Sequence, residues 1–203
     1  FASSMPLPNG TTETTLLVEV EGSQLQPGDY MLPIRIKNVS QFEISSTNAI
    51  YPIAIRIMGE QLDRTEWTAE ANTEELVGEV QNNSGPVECL LDGNLQTFWH
   101  SQWQNGSHAL PHEVIIDVQK ECTFTQFALV QREGSNYVKA GNFQVSSDKA
   151  HWETVGDFSM KQESGAQVFG VMPTKGRYFK ILITESYNGN NSALAEVYAY
   201  GLK

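Results

Sequence analysis

Glu113-Val-Ile-Ile-Asp-Val118 and Phe124-Thr-Gln-Phe-Ala-Leu-Val-Gln131 are the two stretches that decide the fold. Each is a short apolar run, long enough for a strand and too short for a helix. Outward from them, Asn142–Ser147, Gln167–Val171, Tyr178–Glu185 and Glu196–Tyr200 read the same way. Asp92-Gly93, Asn105-Gly106 and Asn188-Gly189 supply turns between such runs. Many short strands at near-regular spacing, with no helical period between them, predict an all-β sandwich or jelly roll. Only Thr73–Val80 (TEELVGEV) suggests a short helix, and Gly78 within it weakens that reading.

Upstream, Thr14–Glu21, Tyr30–Lys37 and Tyr51–Ile57 also alternate, with Gln26-Pro-Gly-Asp29 as the turn between the first two. Pro33 and Pro52 place their strands at edges or at strand starts, because proline cannot donate to a ladder. Three or four strands fall short of the seven or so of an immunoglobulin-like sandwich. Residues 1–60 are therefore expected to form a small, incomplete β-sandwich-like domain or fragment. The polar stretch Gly59–Glu66 divides it from a second unit spanning 67–203.

The 203 residues are 40% hydrophobic and 18% charged, a balance that supports a packed core. A net charge of −11 disfavours nucleic acid and anionic membrane surfaces as partners, while neutral sugars carry nothing to repel. No apolar run reaches the ~18 residues of a bilayer span, so no direct membrane insertion is expected. The first residues lack a secretory leader pattern and an initiator methionine, as in a processed or excised piece. The two cysteines, Cys89 and Cys122, are either a single bridge or two buried thiols. No Gly-x-Ser-x-Gly elbow, His-Glu-x-x-His or phosphate-binding glycine loop occurs, and the 24 acids pair somewhere by number alone. The expectation is a protein without catalytic activity.

Within Cys89-Leu-Leu-Asp-Gly-Asn-Leu-Gln-Thr-Phe-Trp99, Asp92 offers a carboxylate, and Asn94 and Thr97 offer neutral oxygens around a glycine turn. Calcium takes 6–8 oxygens with some negative charge, so one loop needs help, and Glu196 is the nearby acid of the last strand. The order of Asp92-Gly93-Asn94, Thr97, Trp99-His100-Ser101, Trp103, Pro111-His112 and Ile115-Ile116-Asp117-Val118 resembles the discoidin-like family, also called coagulation factor V/VIII type C. Arg132, Phe143–Asp148 with Trp152, Arg177–Ile181, Ala195-Glu196-Val197 and Tyr200-Gly201 continue that order to the end of the chain.

The resemblance implies a jelly-roll β-sandwich of the carbohydrate-binding module family 32 type, binding galactose-like or related glycans or polysaccharide. It implies a structural calcium on the side chains of Asp92, Thr97 and Glu196, completed by oxygens of Cys89, Asn94 and Ala195. The sequence departs from the family at Asp148-Lys149-Ala150-His151, where Asp-Gly is usual, which alters one turn. A sugar site needs an aromatic platform for the C–H face and polar groups for the hydroxyls. Sugar-binding relatives use a His, an aromatic, an Arg and an Asn on end loops. The equivalents are His100, Trp103, Arg132 and Asn136, with Tyr137 adjacent and Tyr187 as a second wall. Trp99 and His112 are read as structural, and an ion pair to Glu133 or another surface acid is the plain alternative for Arg132.

More loosely, Gly28–Ile36 and Tyr51-Pro52-Ile53 resemble the end of a β-sandwich domain that precedes discoidin-like modules in surface lipoproteins of gut bacteria. An extracellular or bacterial cell-surface location follows from that resemblance. A discoidin-type adhesion domain binding a protein, or an ancillary module of a glycoside hydrolase, are the alternatives. The sugar and the oligomeric state stay open.

Overall fold

The computed structural model describes residues 15, 18, 25, 28–40, 43–44, 46–47, 49–57 and 59–202. Among these residues ten strands run in chain order: β1 (Gly28–Arg35), β2 (Ile50–Ile57), β3 (Glu60–Gln61), β4 (Thr68–Ala71), β5 (Trp99–His100), β6 (His112–Gln131), β7 (Val138–Ser146), β8 (Glu153–Ser159), β9 (Ala166–Ser186) and β10 (Ala193–Leu202). β1 and β2 form a two-stranded antiparallel hairpin in which Pro33 faces Pro52. Among the described residues this sheet has only two strands, so each proline sits on an edge. The strand expected over Thr14–Glu21 lies almost wholly outside the described residues, as do Gln26 and Pro27 of its turn.

The all-β sandwich expected from the sequence is present in β3–β10. Two predicted strand pairs prove to be single bent strands. Glu113–Val118 and Phe124–Gln131 are the halves of β6, and Gln167–Val171 and Tyr178–Glu185 lie in β9. The first half of β6 pairs with β4 and the end of β9, while its second half pairs with β10 and the start of β9. The ladder breaks between Asp117 and Cys122, where Gln119 takes φ 65°. Across the break Arg177 grips Asp117 with two 2.8 Å hydrogen bonds, and the Gln119 amide donates to the same carboxylate. These bonds hold the Asp117 carboxyl below its usual range, Arg177 foremost.

Because both long strands bend, the sheet folds over on itself and its two layers share one apolar core. Phe127, from the second half of β6, stacks on Phe143 of β7 at 4.7 Å and lies 4.7 Å from Phe179 of β9. Phe124 and Trp67 approach Phe179 at 5.5 and 5.8 Å. Gly176 lets β9 turn here, since a Cβ would stand 2.4 Å from Val145 and 2.8 Å from the Ser146 carbonyl oxygen.

The structure corrects the helix expectation and settles what the sequence left open for the two cysteines. Thr73–Val80 forms turns, followed by a 3₁₀ turn at Val80–Asn82, in place of a helix. The cause is Glu75, whose carboxylate takes the Val77 and Gly78 amides at 3.0 and 2.8 Å. Cys89 and Cys122 do not bridge: both are free and buried. The polar stretch before Trp67 is bound into the sandwich: β3 pairs with β10, the Leu62 amide donates to the Ala199 carbonyl at 3.0 Å, and Leu62 is buried. At the altered turn, Lys149 adopts φ 64°, a conformation glycine takes freely, while Asp148 accepts from the Ala150 and His151 amides.

Phe127 is fully buried and touches both layers. Phe127→Ala is expected to cost about 3–5 kcal/mol, read as a lower urea midpoint at unchanged m-value.

Candidate functional site

The double bend returns both ends of β6 to one end of the sandwich. His112 opens the strand and hydrogen-bonds Ser192, while Gln131 closes it opposite Leu194. β5, which carries Trp99 and His100, pairs with Ala193–Leu194 at the same place. Loops 73–79, 101–111, 132–137 and 187–192 therefore gather there with β5, and together they hold every residue expected at a sugar site.

Two buried glutamates that sequence reasoning overlooked organise these loops. Glu75 is 1% exposed. Besides Val77 and Gly78, its carboxylate accepts from the Trp103 and Gln104 amides at 2.7 and 2.6 Å. Burial pushes this carboxyl up, but the four amides outweigh it and hold the group down at about 2. Glu79, 5% exposed, accepts from the Trp103 indole N–H and from Arg132 Nη1, at 3.3 and 3.2 Å, through one oxygen. Its other oxygen takes the Asn82 side chain at 2.8 Å. Arg132 thus pairs with Glu79, not with Glu133, and its guanidinium lies 3.8 Å over the Phe98 ring. The spacing Glu75–Glu79 inside an apparent helix was the signal available, and nothing local told it apart from a solvated face.

Trp103 keeps 43% of its surface exposed. Gly78 sits directly beneath it, where any Cβ would fall 2.3 Å from the indole. His100 is placed differently from the other candidates. It is 3% exposed, its Nδ1 is 2.6 Å from the Ser101 carbonyl oxygen, and Tyr137 meets its ring edge-on at 5.8 Å. It forms a floor behind the loops. Tyr187, 43% exposed, donates its hydroxyl to the Met160 carbonyl at 2.9 Å and its amide to Tyr137 at 2.7 Å. Asn136 is half-buried, and its carbonyl accepts from Gln162 at 3.3 Å. Trp99 and His112 are fully buried, and Trp99 donates its indole N–H to the Thr73 carbonyl. Burial lowers His100 and His112 below the usual imidazole range.

The second constellation lies in the loop 89–97. Asp92 takes the Asn94 amide at 2.8 Å, and the Thr97 hydroxyl lies 2.6 Å from Asp92 and 2.8 Å from the Asn94 carbonyl. Glu196 is fully buried. Its Oε2 pairs with Arg64, while its Oε1 has no hydrogen-bond partner among the described residues. Burial lifts the Glu196 carboxyl; Arg64 opposes this, and Asp92 lies close enough to add to the rise. Arg64 also donates to the Leu90 and Val197 carbonyls and covers the Tyr198 ring at 4.1 Å. Among the described residues no three His, Cys, Asp or Glu side chains converge on one point. The donor set nevertheless fits a hard cation: Asp92 of the loop, Glu196 of β10, the Thr97 hydroxyl, and loop carbonyls, with one buried carboxylate oxygen unsatisfied among the described residues. Ala195 is buried beside Glu196, and Cys89 is buried at the head of the loop, its thiol pushed up by burial and by Asp92.

Fold and loops together define a discoidin-like β-sandwich. A profile of the F5/8 type C domain matches residues 68–197, and the chain belongs to that family. Among solved structures it is similar to the C-terminal domain of a chitobiase from Bacteroides fragilis, at 36% identity and TM-score 0.65, over 70% of this chain and 97% of that one. It is also similar to the family 32 carbohydrate-binding module of NanJ from Clostridium perfringens, solved with galactose, at 23% identity and TM-score 0.58, over 70% and 99% of the chains. The latter likeness concerns the fold alone. A sialidase from Micromonospora viridifaciens is 23% identical over 128 residues, 61% of this chain and 20% of the sialidase's length.

Acid should loosen the end loops in two stages. His100 and His112 bind protons more readily unfolded, so stability is full above an ordinary imidazole value of 6.5 and falls as pH drops below it. Glu75, lowered from 4.5 to about 2, gives a second loss as pH falls from 4.5 towards 2. Glu75→Gln is expected to cost about 2–3 kcal/mol at neutral pH and to erase that second stage in denaturation curves measured across pH.

Proposed function

We propose that this chain is a non-catalytic glycan-binding module that takes galactose-type or related sugars at the Trp103–Arg132 end of the sandwich. The observation that carries the reading is the geometry around Glu79: one buried carboxylate oxygen fixes an exposed indole and a guanidinium side by side. A pyranose ring lays its C–H face on Trp103, and hydroxyls accept from Arg132 donors turned away from Glu79. Tyr187 and the edge of Tyr137 bound the pocket, Asn136 contributes an amide, and His100 supports the floor. The glutamates serve as positioning residues, because they fix the loops before ligand arrives and so limit the entropy lost on binding.

The galactose complex of the NanJ module and the chitobiase and sialidase relatives support this reading, and they favour attachment to a glycoside hydrolase; a secreted or surface-anchored setting is part of the proposal. A structural calcium belongs to the same proposal. Asp92, Thr97 and Glu196 would hold it with oxygens of Cys89, Asn94 and Ala195, joining the early loop to β10 and stabilising only the folded state. A second reading, a protein-binding adhesion domain, draws on Leu76, Val77 and Val80. These aliphatic side chains on the loops next to Trp103 are 56–60% exposed.

On a glycan array the protein is expected to retain terminal-galactose and N-acetylgalactosamine structures, with roughly millimolar to high-micromolar affinity, about 4–7 kcal/mol. Trp103→Ala should abolish retention while leaving the melting temperature within a few degrees; Arg132→Ala should abolish it too, with a larger fall in melting temperature because the buried Glu79 carboxylate loses its cation. A blank array from folded wild-type protein would instead support a protein partner. Calcium at 100-fold over its Kd should stabilise the fold by about 2.7 kcal/mol. Chelation should reverse this, and Glu196→Gln should remove the response. A melting temperature indifferent to calcium in the wild type refutes the metal site.

A further inference from the structure

Arg64 brings a cation of the chain's own to the residues proposed for calcium. It sits in the turn between β3 and β4, where the Trp67 amide donates to its carbonyl, and its side chain is 14% exposed. A single nitrogen, Nη1, meets three oxygens: Glu196 Oε2, the Val197 carbonyl at 2.8 Å and the Leu90 carbonyl at 3.3 Å. Its hydrogens are fewer than those acceptors, so charge as much as direction holds it there. The guanidinium also lies 4.1 Å over the Tyr198 ring, which adds to its hold on β10.

The Glu196 carboxylate is half used. Oε2 is taken by Arg64, and Oε1 has no hydrogen-bond partner among the described residues. Burial lifts this carboxyl and Arg64 opposes the lift, while the Gly93 amide and Asp92 act on it from loop 89–97. Asp92 itself takes neutral partners, the Asn94 amide and the Thr97 hydroxyl. Two acids therefore serve one loop, and one of them is already matched by a guanidinium.

A buried carboxylate without a cation is costly, so Arg64 lets β10 and the loop close without metal. The same charge must weaken the hold on a metal ion. Calcium affinity is tuned over decades by how many charged ligands a site offers, and here a fixed guanidinium cancels one of two. Repulsion between like charges is largest where water is excluded.

We infer that Arg64 is a built-in counter-cation that sets the calcium affinity of this site: it neutralises Glu196 through Oε2, stabilises the metal-free fold and keeps calcium binding weak. The inference rests on the calcium reading of Asp92, Thr97 and Glu196; the contacts of Arg64 do not. A residue that merely braced the loop would act in the opposite sense, since its loss would disorder the ligands and loosen the metal.

The test is calorimetric titration of calcium into the whole chain after chelation, beside melting curves with and without the ion. Arg64→Gln keeps donors for the three oxygens and loses the charge. Arg64→Met loses both, and either variant is decisive if the other fails to fold. Both are expected to melt several degrees below wild type without metal. Both should bind calcium about tenfold more tightly, and so gain more in melting temperature at the same calcium concentration. Arg64→Lys, which keeps the charge, should stay near the wild-type Kd. Neutral variants whose Kd equals that of wild type, or is weaker, overturn the inference and leave the metal site standing. Equal tightening in Arg64→Lys overturns it as well. Absence of calcium uptake in wild type and in every variant rejects the metal reading and this inference together.

Discussion

β6 and β9 each belong to both layers of the sandwich, and the rest of the molecule follows from that constraint. A strand that serves two layers must bend, and the bend at Asp117–Cys122 is fixed by Arg177 on Asp117 and by a left-handed Gln119. Once bent, the strand brings its first and last residues back to one end. That end then collects the loops before β5, after β5, after β6 and before β10. The aromatic stack of Phe127 on Phe143 and Phe179 sets the spacing of the layers, and hence the spread of the loops. The site is a by-product of topology that the loop residues exploit.

Carboxylates buried among backbone amides do the finer positioning. Glu75 makes no contact that a side-chain inventory would notice, because its partners are main-chain N–H groups of Val77, Gly78, Trp103 and Gln104. Charge-assisted bonds of this kind are among the stronger ones a protein makes. They turn two irregular loops into a single rigid platform. Glu79 then holds the Trp103 indole and the Arg132 guanidinium side by side through one carboxylate oxygen.

The alternation of apolar residues carried most of the fold in the sequence. Val114, Ile116 and Val118 were legible as a buried face, as were the halves of β6 and β9 taken separately. Their continuity was not, since a bend looks like a turn when only polarity is read: Gln119–Glu121 is a polar interruption whether the chain reverses or merely kinks. Of the site, Trp103 and Arg132 were visible as residue types that have few other uses in an acidic, loop-rich region. Glu75 and Glu79 were hidden because a glutamate in a helix-like pattern signals solvent, and only tertiary contacts show it buried. Arg64 was missed for a related reason. It lies in a polar stretch that reads as a linker, yet its guanidinium satisfies half of Glu196 and two carbonyls of the neighbouring segments.

β3 and β10 carry a consequence of another kind. Glu60 pairs with Gly201 and Gln61 with Tyr200, so the chain enters the sandwich beside the point where it leaves. Antiparallel partners have Cα atoms only about 4.5–5.5 Å apart. A unit whose entry and exit nearly touch can be spliced into a surface loop of another protein without prising that loop open. It can equally be strung in tandem with each copy hanging to one side of the line of the chain. Both arrangements keep the opposite end, where the loops gather, turned away from whatever the module is joined to.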